Sequence, residues 1–201
     1  MNERADILCT AFDGERMVVS GPLFEVAGVV KELLDRGQLA SVLVFDDASG
    51  RSIDLDLRGS SDEVRTRYMP GGGGGGPESG DGGAPRRGRG RPRLGVVSHE
   101  VTLLPRHWAW LKAQRGGASA TLRRLVDQVR RETAGTERVQ RGQDATYRFL
   151  AATVGDEPGF EEAIRALYSG NAARFCAEAE QWPVDLRDHA IRLAEPAFVA
   201  P

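Results

Sequence analysis

Between residues 69 and 90 the chain places glycine at 11 of 22 positions, with Gly71–Gly76 unbroken and Pro70, Pro77 and Pro85 among them. Such a segment has no apolar surface to bury and few side chains to hold one backbone conformation, so its composition predicts a flexible coil. A chain of 201 residues interrupted in this way folds on either side of the tract. At ~150 residues per domain, the length allows one to two domains. The expected division is an α+β module over 1–68, a Gly/Arg-rich linker with a basic arm over 69–98, and a helical domain over 99–201.

Charge follows the same division. The formal net charge of −2 conceals blocks of opposite sign. Residues 1–68 carry 8 basic and 13 acidic side chains, residues 84–131 carry 12 and 2, and residues 132–201 carry 7 and 12. A basic block between acidic blocks points to an anionic partner. Of the 27 basic residues, 25 are arginine, the residue suited to planar contacts with phosphate and bases. No apolar run approaches the ~20 residues of a membrane span, and the charged start Met1–Asp6 lacks a signal-peptide core. Cys9 and Cys176 are too few and too far apart for a disulfide framework or a zinc site. The expectation is a cytoplasmic protein with no membrane partner and no cofactor.

Hydrophobic spacing gives the elements. Ile7–Phe12 and Arg16–Ser20 read as strands around the turn signal Asp13-Gly14. Leu23, Val26, Val29 or Val30, Leu33 and Leu34 recur at helical spacing, and Gly37 stops the helix. Ser41–Phe45 reads as a buried strand, and Ile53–Leu57 alternates as a half-buried one. The N-terminal module is therefore expected to be β-β-α-β-β. Past the linker, Glu100–Leu104 reads as a strand and Pro105 opens a helix with Trp108 and Leu111 on its apolar stripe and Trp110 as a further candidate for it. Gly116-Gly117 ends it. Ser119 would cap the next helix, whose buried face would be Leu122, Leu125, Val126 and Val129. Four short amphipathic helices are expected in the remainder, built around Phe149, Ile164, Phe175 and Leu193, and packed as a bundle.

Two segments carry chemistry. Arg89-Gly90-Arg91-Pro92 resembles the core of an AT-hook. Gly90 lets the backbone approach the floor of the minor groove, Arg89 and Arg91 run along its negative potential, and Pro92 keeps the chain extended. Arg86, Arg87 and Arg93 would reach phosphates, which gives salt-sensitive affinity without sequence reading. Residues 100–132 resemble a ribbon-helix-helix segment. That resemblance implies a homodimer formed through the 100–104 strand, with Thr102 facing bases, Arg106 on phosphate, and Ser119 in a helix N-terminus that clamps phosphate. Glu100 departs from the pattern by placing a carboxylate in the ribbon.

The chain as a whole resembles the bacterial domain-of-unknown-function family numbered 2239. The likeness rests on Thr10-Ala-Phe12, Gly21-Pro-Leu23, Asp54–Gly59, Gly90–Val97, Glu100–Trp108, Gly116–Ser119, Leu122–Val126 and Trp182-Pro183. It implies coherence along nearly the whole length and no particular activity.

Enzyme signals are weak. Gly71–Gly76 is followed by no Gly-Lys-Ser/Thr, there is no Gly-x-Ser-x-Gly elbow, and His99, His107 and His189 have no metal-ligand spacing. The carboxylates Asp46, Asp47, Asp54 and Asp56 read as a solvent face, with divalent-ion hydrolysis as the enzymatic alternative. The expected function is DNA binding, regulatory or nucleoid-associated, by a protein that is not an enzyme. The alternatives are a protein-interaction module whose arm meets an acidic surface, and RNA binding through the Arg-Gly arm.

Overall fold

Strand β1 (Leu8–Asp13) turns at Asp13-Gly14 into β2 (Arg16–Pro22), and Gly14 takes a φ of +59°, the left-handed conformation this turn needs. Helix α1 (Leu23–Asp35) follows at once and buries Leu23, Val26, Ala27 and Val30. Strand β3 (Val42–Asp46) then returns antiparallel beside β1, so the sheet order is β2-β1-β3 with β1 in the centre. The computed structural model describes residues 7–70 and 99–199. The glycine tract and the arm residues Arg86, Arg87, Arg89, Gly90, Arg91, Pro92 and Arg93 lie outside the described residues.

Because side chains alternate across a strand, β1 supplies two cores. Cys9 and Ala11 share one face with Val44 and pack under α1 against Leu23, Val26 and Val30. Thr10 and Phe12 share the other face with Phe45. That second face is also dry: Thr10 and Phe12 are 0% exposed and Phe45 is 1% exposed. It is covered by residues from the C-terminal helices, with Phe149 against Phe12 and Phe45 and His189 against Phe12.

The fourth strand expected at Ile53–Leu57 does not form; only Ser52 makes an isolated bridge, to Phe45. The reason lies in an element the hydrophobic pattern did not reveal, helix α2 (Ser61–Tyr68). Its side chains satisfy the backbone that a strand partner would have held. The Asp56 N–H donates to Tyr68 Oη, and Arg67 donates to the carbonyls of Asp56 and Arg58. A Ser60–Glu63 capping box opens α2, and its mostly polar sequence buries only Val64. The module is thus β-β-α-β-α.

By contacts the chain divides into two compact units, residues 1–74 with 134–201, and residues 75–133. In the first unit, the end of α4 (Gly117–Thr153) is followed by α5 (Phe160–Tyr168), α6 (Ala172–Ala179), α7 (Val184–Ala194) and a terminal 3-10 turn, Glu195–Phe198. Asn171 caps α6 as expected, its Oδ1 accepting from the Arg174 N–H. Buried Trp182 donates its indole N–H to the Pro158 carbonyl at 3.0 Å. Two glycines allow close approach to α4. A Cβ on Gly50 would lie 2.0 Å from the Ala145 carbonyl oxygen, and one on Gly142 would lie 2.8 Å from the Ala197 nitrogen.

In the second unit, α3 (Pro105–Ala113) begins at Pro105 as expected. Residues 99–104 form no strand within the single chain, and the ladder expected for them needs a second copy. Three expectations are corrected in this unit. Ser119 is not a cap, because α4 already starts at Gly117. Leu125, Val126 and Val129 are exposed, not buried. Helix α4 also runs unbroken for 37 residues where two helices were expected.

Phe149 is 0% exposed and its ring meets those of Phe12, Phe45 and His189. Phe149→Ala should cost about 3–5 kcal/mol, read from urea or guanidinium unfolding monitored by far-UV circular dichroism. A loss below about 1 kcal/mol would contradict the packing described here.

Candidate functional site

The described polar chemistry of the first unit gathers on the Phe12 face of the sheet. Thr10 Oγ1 lies 2.9 Å from Asp47 Oδ1 and 3.0 Å from Ser20 Oγ. A hydroxyl has one proton; given to the carboxylate, it leaves Thr10 to accept from Ser20. Asp47 follows β3 on a turn whose backbone is held by Asp46: Asp46 Oδ1 accepts from the Ala48 N–H and Oδ2 from the Ser49 hydroxyl. Burial pushes the Asp47 carboxyl up, while the Thr10 hydroxyl and the Arg192 charge pull it down.

His189, on α7, is 2% exposed and wedged among the rings of Phe12 and Phe149 at centroid distances of 5.3 and 4.6 Å. Its Nδ1 lies 3.0 Å from Arg192 Nη2. A guanidinium can only donate, so Nδ1 accepts and the imidazole proton sits on Nε2. Nε2 is 3.7 Å from Asp47 Oδ1, too far for a hydrogen bond, and has no hydrogen-bond partner among the described residues. Burial, joined by the Arg192 charge, pushes the imidazole down to about 4, so His189 is neutral near pH 7. Cys9, on the opposite face of β1, is pushed up to about 12 by burial and then by Asp47 and Asp46. Its thiol stays protonated and is no nucleophile.

Beyond Asp47 opens a cleft of about 340 Å³ between the β3 turn, α4 and α7. Asp47 and Ala48 form one wall, Arg138, Arg141 and Gly142 another, and Arg192 with Pro196 a third. The charged lining is three guanidiniums to one carboxylate. Sequence reasoning missed these arginines. Arg138-x-x-Arg141 and His189-x-x-Arg192 are one-turn spacings, but on polar helix faces they look like ordinary solvation. Among the described residues no group of three or more His, Cys, Asp or Glu is placed to hold a metal ion, and Asp56 is instead paired with Arg58 and Arg67.

The second unit carries the other candidate surface. Thr102 is exposed on the segment before α3, Arg106 is exposed in the first turn of α3, and Ser119 is exposed in the first turn of α4. Around them Lys112, Arg115, Arg123, Arg124, Arg130 and Arg131 are all exposed. Arg123 and Arg131 donate Nε–H to backbone carbonyls one turn back, at Ser119 and Asp127. Arg124 and Arg131 are seven residues apart and share a face, as do Arg123 and Arg130. His99 and His107 are exposed in the same segment. The arm residues Arg86–Arg93 lie outside the described residues.

His189 sets a sign for the acid response. The unfolded imidazole protonates near its ordinary value of 6.5, and the folded one only near about 4. Between these values the unfolded chain holds more proton, so stability is full above the window and falls as pH drops through it. Asp47, raised by burial, contributes with the opposite sign. His189→Gln should therefore flatten the acid-side loss of the urea midpoint. An unchanged slope would show that the imidazole titrates alike in the folded and unfolded chains, against the burial described.

No curated protein and no solved structure matches the chain. One family model does, over residues 8–194, covering the sheet, the polar cluster and the basic helices alike. The chain accordingly belongs to the DUF2239 family, described as an uncharacterized protein conserved in bacteria.

Proposed function

We propose that the chain binds duplex DNA through the positively charged unit 75–133, with a second copy of the chain completing the binding surface. One observation carries the reading. Arg106, Lys112, Arg115, Arg123, Arg124, Arg130 and Arg131 are exposed, and none is ion-paired among the described residues. In the other unit eight of the thirteen described arginines, Arg36, Arg58, Arg65, Arg67, Arg148, Arg165, Arg174 and Arg187, pair with a carboxylate. Unpaired guanidiniums spaced along one helix match the repeating charge of a phosphate backbone. The neighbouring arm fits the same role: Arg89, Gly90, Arg91 and Pro92 in the minor groove, and Arg86, Arg87 and Arg93 on phosphates. Thr102 would then be the residue placed toward bases, and the first turn of α4 at Ser119 would meet a phosphate.

The second copy is supported by the exposed stripe of Leu125, Val126 and Val129, which are 36%, 54% and 53% exposed. Three apolar side chains on adjacent turns of a charged helix call for a cover. The unpaired segment Glu100–Leu104 would gain a ladder from the same partner. That stripe equally suits a protein-interaction module, whose arm would meet an acidic partner surface; the assays below separate the two.

In fluorescence anisotropy, affinity for duplex DNA should fall steeply with salt, by a log–log slope of about −0.9 per phosphate contact. Arg124→Gln/Arg131→Gln should reduce that slope by roughly 2. Arg89→Ala/Arg91→Ala should reduce preference for AT-rich over GC-rich duplex. No binding at low salt would overturn the DNA reading in favour of a protein partner, and equal competition by single-stranded RNA would favour RNA.

In sedimentation velocity the wild type should run as a dimer, and Val126→Glu should return it to monomer without loss of helical circular dichroism. A monomeric wild type at high concentration would remove the second copy from the account.

A further inference from the structure

We infer that the Asp47–Arg138–Arg141–Arg192 cleft is a binding site for a small phosphate monoester carrying a hydroxyl or amino group. The argument begins with charge pairing. Of the described arginines in the unit formed by residues 1–74 and 134–201, those without an ion pair among the described residues are Arg16, Arg51, Arg138, Arg141 and Arg192. Three of these line one cleft. Two of them, Arg138 and Arg141, stand one turn apart on α4, and Arg192 faces the same space from α7.

The walls are fixed by packing. Gly142 lets the Glu195–Phe198 turn close on α4, because a Cβ there would come within 2.8 Å of the Ala197 nitrogen. Arg192 is held from behind by the buried His189, whose Nδ1 accepts from Nη2 at 3.0 Å. A guanidinium anchored on one edge keeps its remaining N–H donors for a ligand. With Arg138 and Arg141, whose Nε donates to the Glu137 carbonyl, the three guanidiniums offer more donors than the two oxygens of a carboxylate use, and they suit the three terminal oxygens of a phosphate.

The single acid defines the other end of the ligand. Asp47 is tied through Oδ1 to Thr10 and cannot swing away. Beside it an anion is repelled, and a hydroxyl or amino group is accepted. The volume of about 340 Å³ exceeds what a bare phosphate fills and lies at the small end of metabolite pockets. A phosphate at the arginine end and a donor group at Asp47 satisfy both walls.

The test uses the full-length protein and isothermal titration calorimetry at constant ionic strength. Glycerol 3-phosphate is the probe, with inorganic phosphate and succinate as comparisons. Saturable one-to-one binding of glycerol 3-phosphate, tighter than that of inorganic phosphate and absent with succinate, is expected. Arg138→Gln/Arg141→Gln should weaken it at least about tenfold, a change of ~1.4 kcal/mol. Ala48→Glu, which adds a carboxylate at the exposed rim, should do the same without touching an arginine. Both variants should keep wild-type duplex DNA affinity. No saturable heat, equal binding of succinate, or equal binding by both variants would overturn the site. Loss of DNA affinity alongside phosphate binding would assign the cleft to a nucleic-acid backbone and overturn the small-ligand reading.

Discussion

The contact on which this structure turns is the meeting of Phe12, Phe45, Phe149 and His189. Phe45 and Phe149 approach edge to face, with centroids 5.0 Å apart, and Phe12 lies 5.5 Å from Phe149. Such pairs add ~0.5–1.5 kcal/mol each beyond the area they bury. Their larger effect is topological. A three-stranded sheet covered only by α1 would leave its second face wet. These rings convert that face into a core, and so fold residues 134–201 onto the N-terminal sheet within one unit.

Drying that face changes the chemistry of everything polar on it. Thr10 and Asp47 would be ordinary surface groups on an open sheet, and His189 a surface group on α7. Here His189 is held neutral, Asp47 is pushed toward its protonated form, and Arg192 is fixed by the imidazole behind it. The arginine cleft borders that aromatic core, with Arg192 one turn beyond His189 on α7 and Asp47 two residues beyond Phe45. The proposed DNA surface draws on opposite physics. On α3 and the start of α4 its basic side chains are exposed and without an ion pair among the described residues, and its apolar stripe is open to solvent.

Local signals in the sequence were sufficient wherever local physics decided the outcome. Asp13-Gly14, the apolar spacing of α1, Pro105 at the start of α3 and Asn171 before α6 all act within a few residues. Failures arose where a distant side chain decided. Ile53–Leu57 alternates like a strand, yet Tyr68 and Arg67 hold the Asp56 and Arg58 backbone instead. Helix α2 escaped notice because eight residues burying only Val64 have almost no hydrophobic period. In α4 the stripe at Leu122–Val129 and the stripe at Ala145–Leu150 are out of phase at 3.6 residues per turn, so one helix looked like two. As for the candidate sites, Thr102, Arg106 and Ser119 were singled out because the basic block is contiguous in sequence, and their role is a proposal. Asp47, Arg138, Arg141 and Arg192 were not, because only the fold brings four separated positions to one cleft.

The central claim is a division of labour: an aromatic core that makes sheet and C-terminal helices one cooperative body, and a separate charged unit that meets DNA. Native-state hydrogen exchange, with and without duplex DNA, tests both halves at once. The account predicts that amides of β1, β3, residues 142–153 and α7 share one opening free energy, and that DNA slows exchange within residues 86–133 and not in the sheet. Sheet and helices opening at clearly different free energies, or DNA protection falling on the sheet rather than on α3 and the start of α4, would contradict it.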